Sequence, residues 1–452
     1  MVTKMKKRIL VITQLSNYDS KGTFILEADS GWQMCVGRIR EMFKNNPDLD
    51  ITITGPTTKL SVFESRQVKT LPEEVNPDLP WGDKLHYVGI ELVPNALVTR
   101  YDFKWDVVAG ALDLSQKKGQ APRWDIVYLN DPMHLRNFKA LFHVEAGYQP
   151  KFYVHSHFVD VPSCPKFPTE ASLWYGQLEA AIKADWNFWQ CESALAEFER
   201  EARLVLAPNV VDEIMKKSSP WDDGYSQEEM HSRDRKNVRF DVMQLTRWEY
   251  DYKVIIFVPN RIGGMGRSSD YTNCGKFMFE ILPQLRKRRQ DFVVIAGNPS
   301  QKFSNEELVQ MCGEHGYVSL VPDTFNRDEF KTIAGYHDIC VGLYDQDTYG
   351  GTAARECIES GGLPLWINLN EYSRIAREAG NYPYLIKPDW SDAVDVLDKM
   401  ISDYQTRPER MIDWSLKLKD VVRKKCSYES TTPEAMLHMD ILLFCTWRQH
   451  DI

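Results

Sequence analysis

A chain of 452 residues is too long for one ordinary hydrophobic core, so two domains with a cleft between them are expected. Apolar residues make up 43% and charged ones 26%, the balance of a soluble globular protein, and no segment approaches the length of a membrane span. The net charge of −9, without any long basic block, speaks against a generally cationic nucleic-acid binder.

The first part of the chain alternates apolar runs with amphipathic stretches. The pattern predicts strands at Arg8–Thr13, Leu49–Thr54, Trp124–Leu129, Phe152–Val154, Trp186–Gln190 and near Leu204–Ala207, with helices at Gly31–Phe43 and Leu173–Ala184. From about Lys216 to Tyr250 the rhythm breaks. Ser218-Ser219-Pro220-Trp221-Asp222-Asp223-Gly224 and the charged run His231–Arg239 read there as a linker or surface excursion. The alternation then resumes with strands at Val254–Val258, Phe292–Ala296, Val318–Val321 and Ile339–Leu343. Helices are expected at Phe277–Leu285, Asn305–His315 and Arg327–Ala334. The tail, from about Ser391, reads as helical. Strands alternating with helices imply a parallel sheet covered on both faces, and here two of them. The expected division is therefore 1–215, an excursion at 216–250, a second α/β domain at 251–425, and a helix at 426–452 that crosses back to the first domain.

Nine cysteines are scattered without a C-x-x-C pair, several inside apolar runs. They read as reduced core residues of a cytoplasmic protein, not as a disulfide or zinc framework.

The most informative stretch runs from Tyr349 to Trp366. Gly350 and Gly351 open a short helix between two buried apolar runs, and Glu356 lies near the start of that helix. Backbone N–H groups at a positive helix end suit a pyrophosphate. A carboxylate one turn further on suits sugar or ribose hydroxyls, so the pair describes a nucleotide-sugar site. Otherwise the glycines are an ordinary turn and Glu356 a capping or surface carboxylate. Arg261 ends a buried strand, where ligands of open α/β sheets sit, and Lys276 follows downstream. Two such cations would stabilise a departing nucleoside diphosphate without a metal. Asp345-Gln346-Asp347 is the nearest approach to a divalent-ion clamp, and Arg267 competes for the phosphate role. The run Leu285-Arg286-Lys287-Arg288-Arg289 reads as a solvated helix end.

Four stretches, in order, carry a family resemblance. They are Ser30-Gly31-Trp32-Gln33, Pro208-Asn209-Val210-Val211-Asp212, Pro259-Asn260-Arg261 with Gly275-Lys276, and Gly350 to Pro364. The set resembles the retaining nucleotide-sugar glycosyltransferases of GT-B fold, the group that includes glycogen and sucrose synthases and many cell-envelope enzymes. The resemblance implies two Rossmann-like doubly wound domains facing each other across a cleft, the first for the acceptor and the second for the donor. It implies a nucleoside-diphosphate sugar as donor, a UDP-sugar foremost, and no required cofactor or metal. Donor contacts would come from Gly31, Arg261, Lys276, Gly350, Gly351, Thr352 and Glu356. The family's first motif glutamate falls on Thr348, so either Thr348 or, with a one-residue shift, Asp347 would touch the sugar. His155 or His157, after Phe152–Val154, would approach the sugar from the acceptor side, with Asp131 and His134 at the same edge. A metal on the two histidines lacks an evident third ligand.

The acceptor would be read by Asn95–Lys118 and Val161–Tyr175, with Trp174 and Tyr175, and neither segment spells a substrate. A saccharide, a small molecule and a hydroxymethylated DNA base, as in phage enzymes of this fold, all remain open. So do a sugar-nucleotide epimerase, a phosphorylase, and a non-catalytic nucleotide-sugar-binding protein.

Overall fold

A computed structural model describes residues 7–13, 30–56, 84–95, 100–114, 123–157, 159, 170–222, 224–228, 230, 254–259, 274–297, 312, 317–321, 327–343 and 351–442. The chain divides into two compact units, Met1–Asp223 with Tyr428–Ile452, and Gly224–Ser427. Among the described residues, no helix is long and apolar enough to cross a membrane.

In the N-terminal unit, strands β1 (Arg8–Ile12), β2 (Asp50–Pro56) and β3 (Leu85–Ile90) precede a hairpin of β4 (Leu92–Asn95) and β5 (Arg100–Phe103). Then come β6 (Ile126–Leu129), β7 (Lys151–Ser156), β8 (Trp186–Trp189) and β9 (Ser218–Pro220). A seven-stranded sheet takes the order β3-β2-β1-β6-β7-β8-β9 with every pair parallel. Helices α1 (Ser30–Asn45), α2 (Trp105–Ala111), α3 (Leu135–Leu141), α4 (Glu170–Lys183), α5 (Glu192–Val205) and α6 (Pro208–Lys216) connect the strands. Central strands such as β1 and β6 are buried along their length, so their apolar runs are continuous and not alternating.

Three expectations change here. Leu204–Ala207 is not a strand. Leu204 and Val205 are the exposed last residues of α5, whose buried positions Ala194, Phe198, Glu201 and Ala202 follow the helical stagger. Pro208 starts the next helix, α6, at its first turn. Ser218–Pro220 is not a linker but the edge strand β9. Proline is tolerated at an edge, and the following Trp221 N–H donates to the Trp189 carbonyl at 2.7 Å. Trp174, expected among acceptor-reading aromatics, is buried against Phe198, while its neighbour Tyr175 is exposed.

The C-terminal unit contains β10 (Val254–Val258), β11 (Phe292–Gly297), β12 (Val318–Val321), β13 (Ile339–Gly342), β14 (Leu363–Ile367) and β15 (Leu385–Ile386). They form an all-parallel sheet in the order β12-β11-β10-β13-β14-β15. Cys274–Lys276, a π-helical turn Phe277–Ile281 and Leu282–Arg288 run on as α7. The remaining helices of this unit are α8 (Arg327–Ala334), α9 (Thr352–Glu359), α10 (Asn370–Glu378), α11 (Ala393–Thr406) and α12 (Pro408–Cys426). Asn305–His315 lies outside the described residues except for Cys312, which is helical. The basic end of α7 is occupied by ion pairs. Arg288 meets Asp395 at 2.5 Å, and Arg289 meets Asp291 at 2.7 Å and Asp398 at 2.8 Å.

The last helix, α13 (Tyr428–His438), belongs to the N-terminal unit and packs on α1. Gly37 permits that approach, since a Cβ there would lie 2.3 Å from the Tyr428 ring. His438 stacks on Trp186 with centroids 4.0 Å apart, and its carbonyl accepts from the Tyr153 hydroxyl at 3.2 Å.

Candidate active site

In both sheets the winding direction reverses beside the first strand of the unit, between β1 and β6 and between β10 and β13. At such a switch point adjacent loops leave the carboxyl edge in opposite directions and open a crevice, where ligands of doubly wound sheets bind.

In the C-terminal unit, α9 follows β13 after nine intervening residues, 343–351. Its N-cap is Gly351, with φ −67° and ψ 135°, and no side chain caps the helix. The first N–H groups of such a helix end are left for an external acceptor. The Gly351 N–H donates to the Tyr372 hydroxyl at 3.1 Å, which puts a phenol at this helix end. Tyr372 is itself fixed by stacking on Trp366, centroids 4.6 Å apart. Gly342, the last residue of β13, lets the helix settle this close, because a Cβ would meet the Trp366 indole at 2.8 Å and the Ala354 Cβ at 3.2 Å.

Glu356 sits in the second turn of α9 and is only 4% exposed. It is therefore neither a capping residue nor a surface carboxylate. Burying an ionised group is costly, and such carboxylates are kept where they bind something. The next carboxylate on this helix has a structural role. Glu359 accepts from the Tyr225 hydroxyl at 2.9 Å and pairs with Lys419 at 3.1 Å and Arg423 at 2.5 Å. Burial first, and then the Glu359 charge, push the Tyr225 phenol far above its ordinary pKa.

Lys276 lies at the start of α7, with its ammonium 4.7 Å from the centre of the Trp390 ring. Trp390 holds a left-handed backbone, φ +66°, which a bulky residue adopts only when its surroundings enforce it. Arg261, Arg267, Asp347, Thr348 and Gly350 lie outside the described residues.

In the N-terminal unit the two histidines at the end of β7 have different surroundings. His155 is fully buried, and its Nε2 lies 2.7 Å from the Trp221 carbonyl and 3.1 Å from Arg38. His157, one residue past the strand, is half-buried, with its ring centroid 4.5 Å from that of His155. Arg38, on α1, is buried beneath them. It donates to the Tyr128 hydroxyl at 2.8 Å, Asn130 Oδ1 at 3.3 Å and the Asp222 carbonyl at 3.0 Å, and lies 4.6 Å over the Trp221 ring. Gly31 is in the first turn of α1. Asp131 caps the short helix Pro132–His134 by accepting from the Met133 N–H at 2.9 Å, and His134 faces Asp102 at 3.5 Å. Both are thus engaged within the unit.

No protein-family model and no curated protein matches the chain. Solved structures do match it along nearly its whole length. HepE from Anabaena, solved with UDP and glucose, aligns with a TM-score of 0.63 at 11% identity, covering 96% of this chain and 99% of its own. A glycosyltransferase from Rickettsia africae aligns at 0.64 and 12%, covering 96% and 98%. Sucrose-phosphate synthase from Thermosynechococcus elongatus aligns at 0.64 and 12%, covering 96% and 99%. The fold is GT-B.

Within this GT-B chain, sequence reasoning missed three residues at the candidate edges. Tyr372 and Trp390 belong to connections after β14 and β15, and neither lies in a motif. Arg38 carried a signal that went unused, a lone cation among the apolar positions of an amphipathic helix.

Proposed function

We propose that the protein is a glycosyltransferase that moves a sugar from a nucleoside-diphosphate sugar to a hydroxyl acceptor with retention of configuration. The observation that carries this reading is the C-terminal switch point. A helix end capped by glycine with a buried carboxylate one turn further on follows β13, and a lysine starts the helix that follows the adjacent strand β10. The likeness to HepE, whose structures contain UDP or UDP-glucose, supports a UDP-sugar as donor.

In this reading the diphosphate lies on the N–H groups at Gly350 and Thr352 and, at Gly351, on the Tyr372 hydroxyl that accepts from the Gly351 N–H, with Lys276 and Arg261 matching its charge. Glu356 accepts from the ribose hydroxyls. Asp347 or Thr348 touches the sugar, as does His157, which is the less buried of the two histidines. His155 positions His157 from below, so its role is not contact with the sugar. As the bond from the anomeric carbon to the phosphate oxygen breaks, negative charge grows on the leaving group. Preorganised cations and N–H dipoles stabilise that charge more than they stabilise the bound donor. The acceptor oxygen bonds to the anomeric carbon on the same face, and the departing phosphate takes its proton. No separate general base is needed.

The test is a transfer assay with the donor that binds best, the product anomer being read by NMR. Arg261→Ala and Glu356→Ala should each lower kcat/KM at least tenfold in a folded protein. An inverted product would refute retention. Unchanged transfer in both variants would refute the donor site.

A further inference from the structure

We propose that His337, Cys340 and Cys357 form a buried binding site for a divalent, thiophilic metal ion such as Zn²⁺. A ring nitrogen of His337 and the sulfurs of the two cysteines all lie within 4.8 Å of one another, and all three residues are buried. Tetrahedral zinc holds two thiolates at about 2.3 Å, which places the sulfurs roughly 3.8 Å apart, so small side-chain adjustments suffice.

The histidine is prepared for this role. Its Nδ1 lies 2.8 Å from the Ala334 carbonyl, an acceptor, so Nδ1 carries the proton and Nε2 the lone pair. Fixing the tautomer through a backbone carbonyl is how metal-ligating histidines are commonly oriented. The opposite side of the ring rests on Gly362, where a Cβ would fall 2.0 Å from Nε2. Any other residue at 362 would displace the imidazole.

The charge count selects the ion. Two thiolates and a neutral imidazole on a divalent cation sum to zero, the state a buried site tolerates best, whereas a monovalent cation would leave a net negative charge. Binding releases the two thiol protons to solvent, and the three protein ligands leave one coordination position for an exogenous donor. His337 lies two residues before β13, Cys340 in β13 and Cys357 in α9, so the ion would pin this helix to the strand that precedes it. It goes beyond the transfer chemistry and does not depend on it.

Reduced, metal-free protein is titrated with Co²⁺, followed by absorption, and then with Zn²⁺. Cysteine alkylation is mapped by mass spectrometry at each stage. One equivalent should bind, with thiolate charge-transfer and intense tetrahedral visible bands that Zn²⁺ bleaches. Cys340 and Cys357 should become protected from alkylation under partial denaturation, and the melting temperature should rise. Cys357→Ser should abolish the bands, and Cys312→Ser should keep them. The wild-type alkylation map locates the ion even if Cys357→Ser does not fold. No tetrahedral bands, protection of other cysteines, or bands unchanged in Cys357→Ser would each overturn the proposal.

Discussion

In the N-terminal unit the helix after β1, α1, buries a cation, Arg38, and one carboxylate, Glu41. Arg38 is held by the Tyr128 hydroxyl, Asn130, the Asp222 carbonyl and the His155 ring. In the C-terminal unit the helix on the other side of the switch point, α9 after β13, buries Arg355 together with two carboxylates, Glu356 and Glu359. The two sheets are wound alike, and each of these helices follows a strand beside the reversal point. What differs among the described residues is the balance of buried charge, one cation to one carboxylate on α1 and one cation to two carboxylates on α9. The winding fixes where a crevice opens, and a few side chains on one helix decide which chemistry it offers.

That contrast is broken most forcefully at Arg38. Arg38→Leu leaves buried oxygen acceptors without their donor and should cost about 3 kcal/mol or more. Urea denaturation followed by fluorescence of the N-terminal tryptophans would measure the loss, and a change below about 1 kcal/mol would mean that the buried cation is incidental. Gly37→Ala tests the return of α13 and should cost about 1–3 kcal/mol through collision with Tyr428. Adding Tyr428→Ala should then cost less than the sum of the two single changes, because the residues share one contact.

Tyr372→Phe sharpens the other side of the comparison. Stability should hardly change, while calorimetry should show donor affinity falling several-fold, about 1 kcal/mol, as one hydroxyl leaves the helix end. The smallest effect concerns pH. Burial lowers the pKa of His438, so the folded state favours the neutral ring. Its contribution is complete above a pH of about 6.5 and is lost as pH falls from there through the folded pKa. Replacing the ring by phenylalanine should flatten the dependence of the melting temperature on pH in that window.

Much of the architecture was legible because parallel strands covered on both faces are plain apolar runs. Arg8–Ile12, Val254–Val258 and Ile339–Gly342 could be read directly. Of the edge strands only Val318–Val321 could. Leu85–Ile90 is only half-buried in its middle, and Ser218–Pro220 has the composition of a turn. Glu356 was legible because local spacing fixes it relative to Gly351. Tyr372, Trp390 and the His337, Cys340 and Cys357 cluster were not, since only the tertiary fold brings them together. Two adjacent histidines looked equivalent until burial separated His155 from His157.

The most direct measurement is a thermal-shift comparison of wild type and Glu356→Ala against UDP-, GDP-, ADP-, CDP- and TDP-sugars, each with and without magnesium. At about 100 times its dissociation constant, one donor should stabilise the wild type by roughly 2.7 kcal/mol and leave the folded variant almost unmoved. If the wild type melts cooperatively and no nucleotide sugar shifts it, the donor site on the second sheet is contradicted.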